Sequence, residues 1–221
     1  MIGESLVLQS RQKNDVVSDK VKQVISTICS HMRMDLAIIS DFTDSHQVVQ
    51  YVDGSSRLVV GLLGESTPLD DSYCYLVTQG RLPCVVPNSA LDPTTKSLEI
   101  TQRLEIASYI SAPLRGADGR VYGMFLCIGH EVNADLNCRD VALMETFADM
   151  AGVEINERLM ARKSYSETLS RIREVMMPNK LNVAYQPIFD LRECKIIGYE
   201  SLARFNAEPY RTPDVWFEDA L

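Results

Sequence analysis

The chain has 221 residues, 46% of them hydrophobic and 24% charged, enough apolar material for one large or two modest globular domains. Its formal net charge of −8 argues against non-specific binding to nucleic acid or to an anionic membrane, both of which need a basic surface. No apolar run approaches the roughly 20 residues of a membrane span, and no signal peptide is evident at the N-terminus. The six cysteines (Cys29, Cys74, Cys84, Cys127, Cys138 and Cys194) form no C-x-x-C pair, and no histidine neighbours one at zinc-ligand spacing. They read as reduced thiols of a cytoplasmic protein.

Residues 1–13 are polar and weakly patterned. From Asn14 or Asp15, either a suitable N-cap, Val17, Val21, Val24, Ile25, Ile28 and Met32 recur at three- and four-residue spacing. That spacing predicts an amphipathic helix. Residues 36–42 read as a first strand and 48–52 as a second, with the polar stretch 43–47 as the turn. Residues 61–68 read as a loop. Asp70 then caps a short helix that Gly80 ends, and Leu69 packs onto Cys74 as a hydrophobic staple. Residues 84–86 are a short strand closed by Pro87. Asp92-Pro93 is a cap followed by the residue favoured at the first helical position, predicting a helix to about Glu105.

Two strongly apolar runs follow, 109–114 and 121–128, around a polar turn containing Asp118-Gly119. Asp-Gly between apolar runs signals a hairpin, because Gly accepts the positive φ of a tight turn. Ile110, Ala112 and Leu114 share one face of the first strand; Tyr109, Ser111 and Pro113 share the other. In the second, Tyr122, Met124, Leu126 and Ile128 oppose Val121, Gly123, Phe125 and Cys127. Neither strand has a water-facing side, so the hairpin belongs in mid-sheet with both faces covered. From Asn137 a last helix keeps Met144, Phe147, Ala151, Ile155 and Leu159 on one stripe, then Tyr165, Leu169, Ile172 and Met176 on a seam, ending at Pro178. It would reach about 60 Å, past the domain it leaves. The seam has charged flanks and no sheet to cover, which suits a parallel homodimer; the other reading is a connector packed on the next domain.

The order of helix, two strands, short helix, strand, helix, hairpin and long helix resembles a GAF domain. The Ala112-Pro113-Leu114 strand end, the Asp-Gly turn and the Gly-containing strand after it carry the resemblance. The run from Pro68 to Cys74 is similar to GAF domains of bacterial signalling proteins. The resemblance implies an α+β fold, an antiparallel sheet with helices on one face and a small-molecule pocket on the other. The pocket residues it implies are Asp71, Tyr73 and Cys74 with Tyr109, Ser111 and Phe125. The ligand stays open among a cyclic nucleotide, haem, a bilin and none. Cys74 would be the candidate bilin attachment, and His31, His46 and His130 occur singly. Some GAF domains reduce free methionine sulfoxide through cysteines near the pocket, for which Cys74 and Cys84 are the candidates.

After Pro178 the pattern changes. Residues 183–191 and 195–205 form two strands around a polar turn at Arg192-Glu193-Cys194. The Tyr185-Gln186-Pro187-Ile188 strand and Gly198-Tyr199-Glu200-Ser201-Leu202 followed by Arg204 closely resemble the opening of the EAL domain. That family of bacterial phosphodiesterases linearises cyclic di-GMP on a (β/α) barrel. The resemblance implies that Glu200 binds one of two catalytic divalent metals, Mg²⁺ or Mn²⁺, which activate water and clamp the phosphodiester. It implies that Arg204 contacts phosphate and that Gln186 and Leu202 contact substrate; Ser201 stands where the family has Ala. Without the motif, Glu200 would read as an ordinary rim carboxylate. The other metal ligands and most of the barrel find no counterpart in the chain, so the barrel is expected to be incomplete and the chain inactive. The division expected is a GAF sensor over 1–136, a signalling helix over 137–178, and the start of an EAL domain over 179–221. The functional reading is the sensory region of a cyclic di-GMP phosphodiesterase, which would bind that substrate only with its barrel complete. The alternative is a stand-alone GAF dimer with a vestigial EAL segment.

Overall fold

The computed structural model describes residues 16–54 and 59–220, so Asn14 and Asp15 lie outside the described residues. The chain forms two compact units that divide between Leu159 and Met160.

In the first unit, α1 (Asp19–His31) is capped by Ser18, whose hydroxyl accepts from the Val21 amide at 3.5 Å. β1 (Leu36–Phe42) and β2 (His46–Gly54) pair antiparallel, and β2 extends beyond the apolar run in both directions. The stretch read as a loop carries two short elements, α2 (Val59–Leu62) and β3 (Ser66–Pro68). β3 pairs with His46 to Val48, and so polar a segment becomes a strand only through that partner. Leu69–Asp71 is a 3-10 turn, and the cap of α3 (Tyr73–Thr78) is Ser72 rather than Asp70, with its Oγ accepting from the Tyr75 amide at 3.2 Å.

β4 is Val85–Val86, and Asp92 caps α4 (Pro93–Ser97) by accepting from the Thr94 and Thr95 amides. The helix expected to run on to Glu105 breaks at Leu98, which turns extended (ψ 132°) and buries its side chain before α5 (Glu99–Arg103). β5 (Ser108–Arg115) and β6 (Val121–Gly129) form the hairpin. The six-stranded sheet runs β3-β2-β1-β6-β5-β4, so both hairpin strands are interior. Gly123 is required there, since a Cβ would collide with the Ser40 carbonyl oxygen on β1. α6 (Cys138–Val175) opens on a reciprocal cap: Asn137 Oδ1 accepts from the Arg139 amide, and Asp140 accepts from the Asn137 amide, both at 2.9 Å.

Strand alternation divides the apolar residues into two cores. Ala37, Ile39, Ile110, Ala112, Leu114, Phe125 and Cys127 face α1 and the first half of α6. Leu36, Ile38, Tyr109, Met124, Leu126 and Ile128 face α3 and the segments around it. A register shift between Leu114 and Arg115 skips Tyr122, which packs with the helix-side core and donates its hydroxyl to the Gly152 carbonyl of α6 at 2.7 Å.

In the second unit, β7 (Leu181–Asp190) and β8 (Lys195–Phe205) make an antiparallel ribbon, followed by α7 (Pro213–Asp219). The end of α6 packs here through Val175, buried with Ala207 and Trp216, and Arg171 and Arg211 both reach Asp219. Of the expected seam, Tyr165 and Met176 are exposed, and Leu169 and Ile172 half-buried. Two strands cannot close a barrel, and the described residues of this unit form a ribbon with a helix, not a barrel.

Candidate functional site

The cavity-side core encloses a space of about 40 Å³ between the sheet and the α2–α5 segments. Its walls are aliphatic (Ile38, Val49, Leu62, Ile100, Leu126 and Ile128), and its polar groups are gathered at the floor and the mouth. At the floor, Gln47 Nε2 donates to Ser40 Oγ at 2.7 Å and lies 3.1 Å from Cys74 Sγ, while Ser72 Oγ donates to Gln47 Oε1. Cys74 Sγ is 3.4 Å from the Tyr109 hydroxyl, and the Tyr73 and Tyr109 rings stack at 4.8 Å with a 47° tilt. The Tyr73 hydroxyl meets Thr101 Oγ1 at 2.9 Å, tying α3 to α5. A buried polar group without a partner is costly, and these groups satisfy one another. At the mouth, Arg103 forms an ion pair with Glu65 and places Nη2 3.5 Å from Thr67 Oγ1.

Of the residues the resemblance implied, Tyr73, Cys74 and Tyr109 line this space. Ser111 is buried on the same sheet face as Tyr109 but is not among the lining residues. Asp71 is also outside the lining, and its Oδ1 accepts from the Glu99 amide at 3.1 Å, fastening the 3-10 turn to α5. Phe125 is a correction. It lies on the opposite face, fully buried, with its ring edge-on to Phe147 of α6 at 5.1 Å. The register decides this: Phe125 pairs with Ala112, whereas Ser111 pairs with Leu126 and Tyr109 with Ile128. Gln47, Ser72, Glu65, Thr67 and Arg103 were missed. The sequence pattern places Gln47 in a turn, and the hint it gives of Ser72 is a capping residue type after Asp70-Asp71.

Burial pushes the Cys74 thiol up to about 11, against hydrogen bonds from Tyr109, Gln47 and Ser40 that lower it less. A thiol protonated at neutral pH is a poor nucleophile. Cys84 packs with the helix-side core, so it and Cys74 do not share a site. No histidine lines the cavity among the described residues. Because the unfolded chain releases the Cys74 proton near pH 9 and the folded chain holds it to about 11, stability is full below pH 9 and falls across that window. Tyr109, raised by burial, acts in the same direction at higher pH. The urea midpoint is therefore expected to drop between about pH 9 and 11, and Cys74→Ala to flatten part of that drop; a midpoint independent of pH over this interval would contradict the burial of an un-ionised thiol.

In the second unit, Gln186 pairs with Glu200, Ala184 with Leu202 and Asn182 with Arg204. Paired residues project to the same side, so Gln186, Glu200, Leu202 and Arg204 share one face of the ribbon. Among the described residues no group of three or more His, Cys, Asp or Glu side chains is placed to hold a metal. A lone carboxylate falls short of the six oxygen ligands that Mg²⁺ demands, so the described residues do not by themselves fit a divalent ion.

The fold and the cavity define a sensor-type α+β domain, and a family model for the GAF domain matches residues 18–155. The chain belongs to the GAF domain family. Over 136 residues, 61% of the chain, it is 28% identical to the cyclic di-GMP phosphodiesterase PA2567 of Pseudomonas aeruginosa. That match spans about a fifth of the relative's length, 22%. Among solved structures, a far-red cyanobacteriochrome photoreceptor superposes with a TM-score of 0.53 at 17% identity, covering 71% of this chain and 94% of that one. The GAF-B domain of DevS from Mycobacterium smegmatis gives 0.47 at 17% identity, covering 64% and 94%. At 17% identity the likeness to the photoreceptor concerns the fold alone. No helix among the described residues is long and apolar enough to cross a membrane.

Proposed function

We propose that this chain is the cytoplasmic sensory and transmitting region of a bacterial cyclic di-GMP phosphodiesterase of the EAL family. The observation that carries the reading is the similarity of the chain, over 136 of its residues, to PA2567. The one-faced placement of Gln186, Glu200, Leu202 and Arg204 on the ribbon supports it, since residues meant to meet one substrate have to project together. Ligand capture takes place in the cavity on the sheet face away from α1 and α6. β6 links that face to α6, because Met124, Leu126 and Ile128 line the cavity side while Phe125 and Tyr122 hold α6 at Phe147 and Gly152. A ligand that shifts β6 relative to β1 therefore shifts α6, which carries the change into the segment bearing the EAL-like residues. In a complete phosphodiesterase, Mg²⁺ or Mn²⁺ would supply the water-activating chemistry.

On this reading two copies pair through the exposed part of α6 after Leu159. Leu169→Glu places a charge in the seam and should convert the dimer to a monomer in light scattering, as should ending the chain at Leu159. An unchanged mass for both variants would show that no dimer uses this helix. The overall reading is tested by assaying cyclic di-GMP hydrolysis with the barrel completed, in wild type and in a cavity variant such as Tyr73→Ala. A change in rate on altering Tyr73 supports regulation through the cavity; complete indifference of the rate to the GAF region contradicts it.

A further inference from the structure

We infer that the cavity takes a short-chain monocarboxylate, whose carboxylate replaces that of Glu65 on Arg103. The inference rests on the cavity being the sensory site. Its walls offer apolar contact, aliphatic side chains and the rings of Tyr73 and Tyr109, and its floor offers little to a polar ligand: Gln47 donates to Ser40 and Cys74 while accepting from Ser72, and the Tyr73 hydroxyl is taken by Thr101. The charged donor at the space is Arg103, at its mouth, with one nitrogen on Glu65 and another beside Thr67. A ligand that fits both ends has an apolar body inside and one anionic head at the mouth, where a guanidinium receives a planar carboxylate with two donors.

Glu65 already presents that head group. Its carboxylate lines the cavity and sits on Arg103, with side-chain exposures of 22% for Glu65 and 43% for Arg103. A pair open to water to this degree contributes little, so exchanging one carboxylate for another is nearly neutral. The net gain comes from the alkyl chain that leaves water. Each methylene buried should then tighten binding about fourfold. The space of about 40 Å³ sets the limit of that series. A cavity near 150 Å³ is needed for a ring the size of benzene, about 25 Å³ per carbon, so this one holds an alkyl body of about one or two carbons and no aromatic ring. Longer acids have to displace Leu62 or Ile100, and the gain per methylene should stop there.

The test uses the full 221-residue chain. Isotope-labelled protein is titrated with acetate, propionate, butyrate, valerate and hexanoate at constant ionic strength, with butyramide as the uncharged isostere of butyrate. Saturable shifts of the Thr67, Arg103 and Leu126 amides are expected, with affinity rising about fourfold per carbon and then levelling. Butyrate should bind about two- to fivefold more tightly than butyramide, the worth of an ion pair partly open to water that the amide would displace and not replace. Glu65→Gln should tighten butyrate by about two- to fivefold by freeing Arg103, and Arg103→Gln should erase the preference for butyrate over butyramide. The inference is overturned if wild type shows no saturation with any of the acids, or binds butyramide as well as butyrate; neither result depends on a variant folding. It is overturned also if folded Arg103→Gln keeps the preference. Failure here leaves the phosphodiesterase reading intact, since that is read by cyclic di-GMP hydrolysis, and loss of that activity would leave a butyrate isotherm unexplained by anything but the cavity.

Discussion

Phe125→Ala is expected to destabilise the GAF unit by about 3–5 kcal/mol, the loss seen when a buried aromatic is cut to a methyl group. Phe125 is fully buried in mid-sheet and packs edge-on to Phe147 at 5.1 Å, so its removal leaves a void that rigid strands on either side cannot fill. For a unit of this size the midpoint of thermal unfolding should fall by on the order of 10 °C. The denaturant midpoint should fall with an unchanged slope, as expected when stability and not compactness changes. Were Phe125 a wall of the ligand cavity, the same substitution would enlarge that cavity and alter binding at modest cost. A loss below about 1 kcal/mol would contradict the helix-side placement.

The second large effect concerns Glu200. In a protein whose barrel is complete, Glu200→Ala should lower the rate of cyclic di-GMP hydrolysis by about three orders of magnitude or more, with folding unchanged. The residue is exposed on the ribbon and pairs across it with Gln186, so no core packing is lost on truncation. Arg204→Ala, on the same face, should raise KM more than it lowers kcat, because a phosphate contact made equally before and during reaction acts on binding. A Glu200→Ala protein of full activity would show that the assignment from the EAL motif is wrong.

The sheet was legible in the sequence because its strands are apolar on both faces and bounded by turn residues. β1 coincides with the apolar run 36–42, and the hairpin strands extend the runs 109–114 and 121–128 by at most one residue at each end. The face assignments within each hairpin strand were also legible. Which face of one strand meets which face of the other was not, because that depends on the register of the pair, and a slip of one residue moves Phe125 from one core to the other. Short polar elements escaped for a different reason. β3 has no apolar pattern and is a strand because β2 offers it hydrogen bonds, and Gln47, at the start of β2, carries the polar floor of the cavity from a position that reads as turn. The mouth escaped as well. Glu65 and Arg103 are far apart in sequence and ordinary as surface residues, and only the fold of α5 over β3 brings them together.

The central claim is that a GAF sensor here serves a cyclic di-GMP phosphodiesterase. The most direct measurement is hydrolysis of cyclic di-GMP, with Mg²⁺ or Mn²⁺ supplied, by the 221-residue chain and by the same chain fused after its last residue to the remainder of an EAL barrel. The account predicts no turnover above background from the chain alone, because one carboxylate does not hold a divalent ion, and metal-dependent turnover from the fusion that responds to changes in the cavity. Turnover by the chain alone that survives repurification would contradict it, and so would a folded fusion that leaves cyclic di-GMP intact.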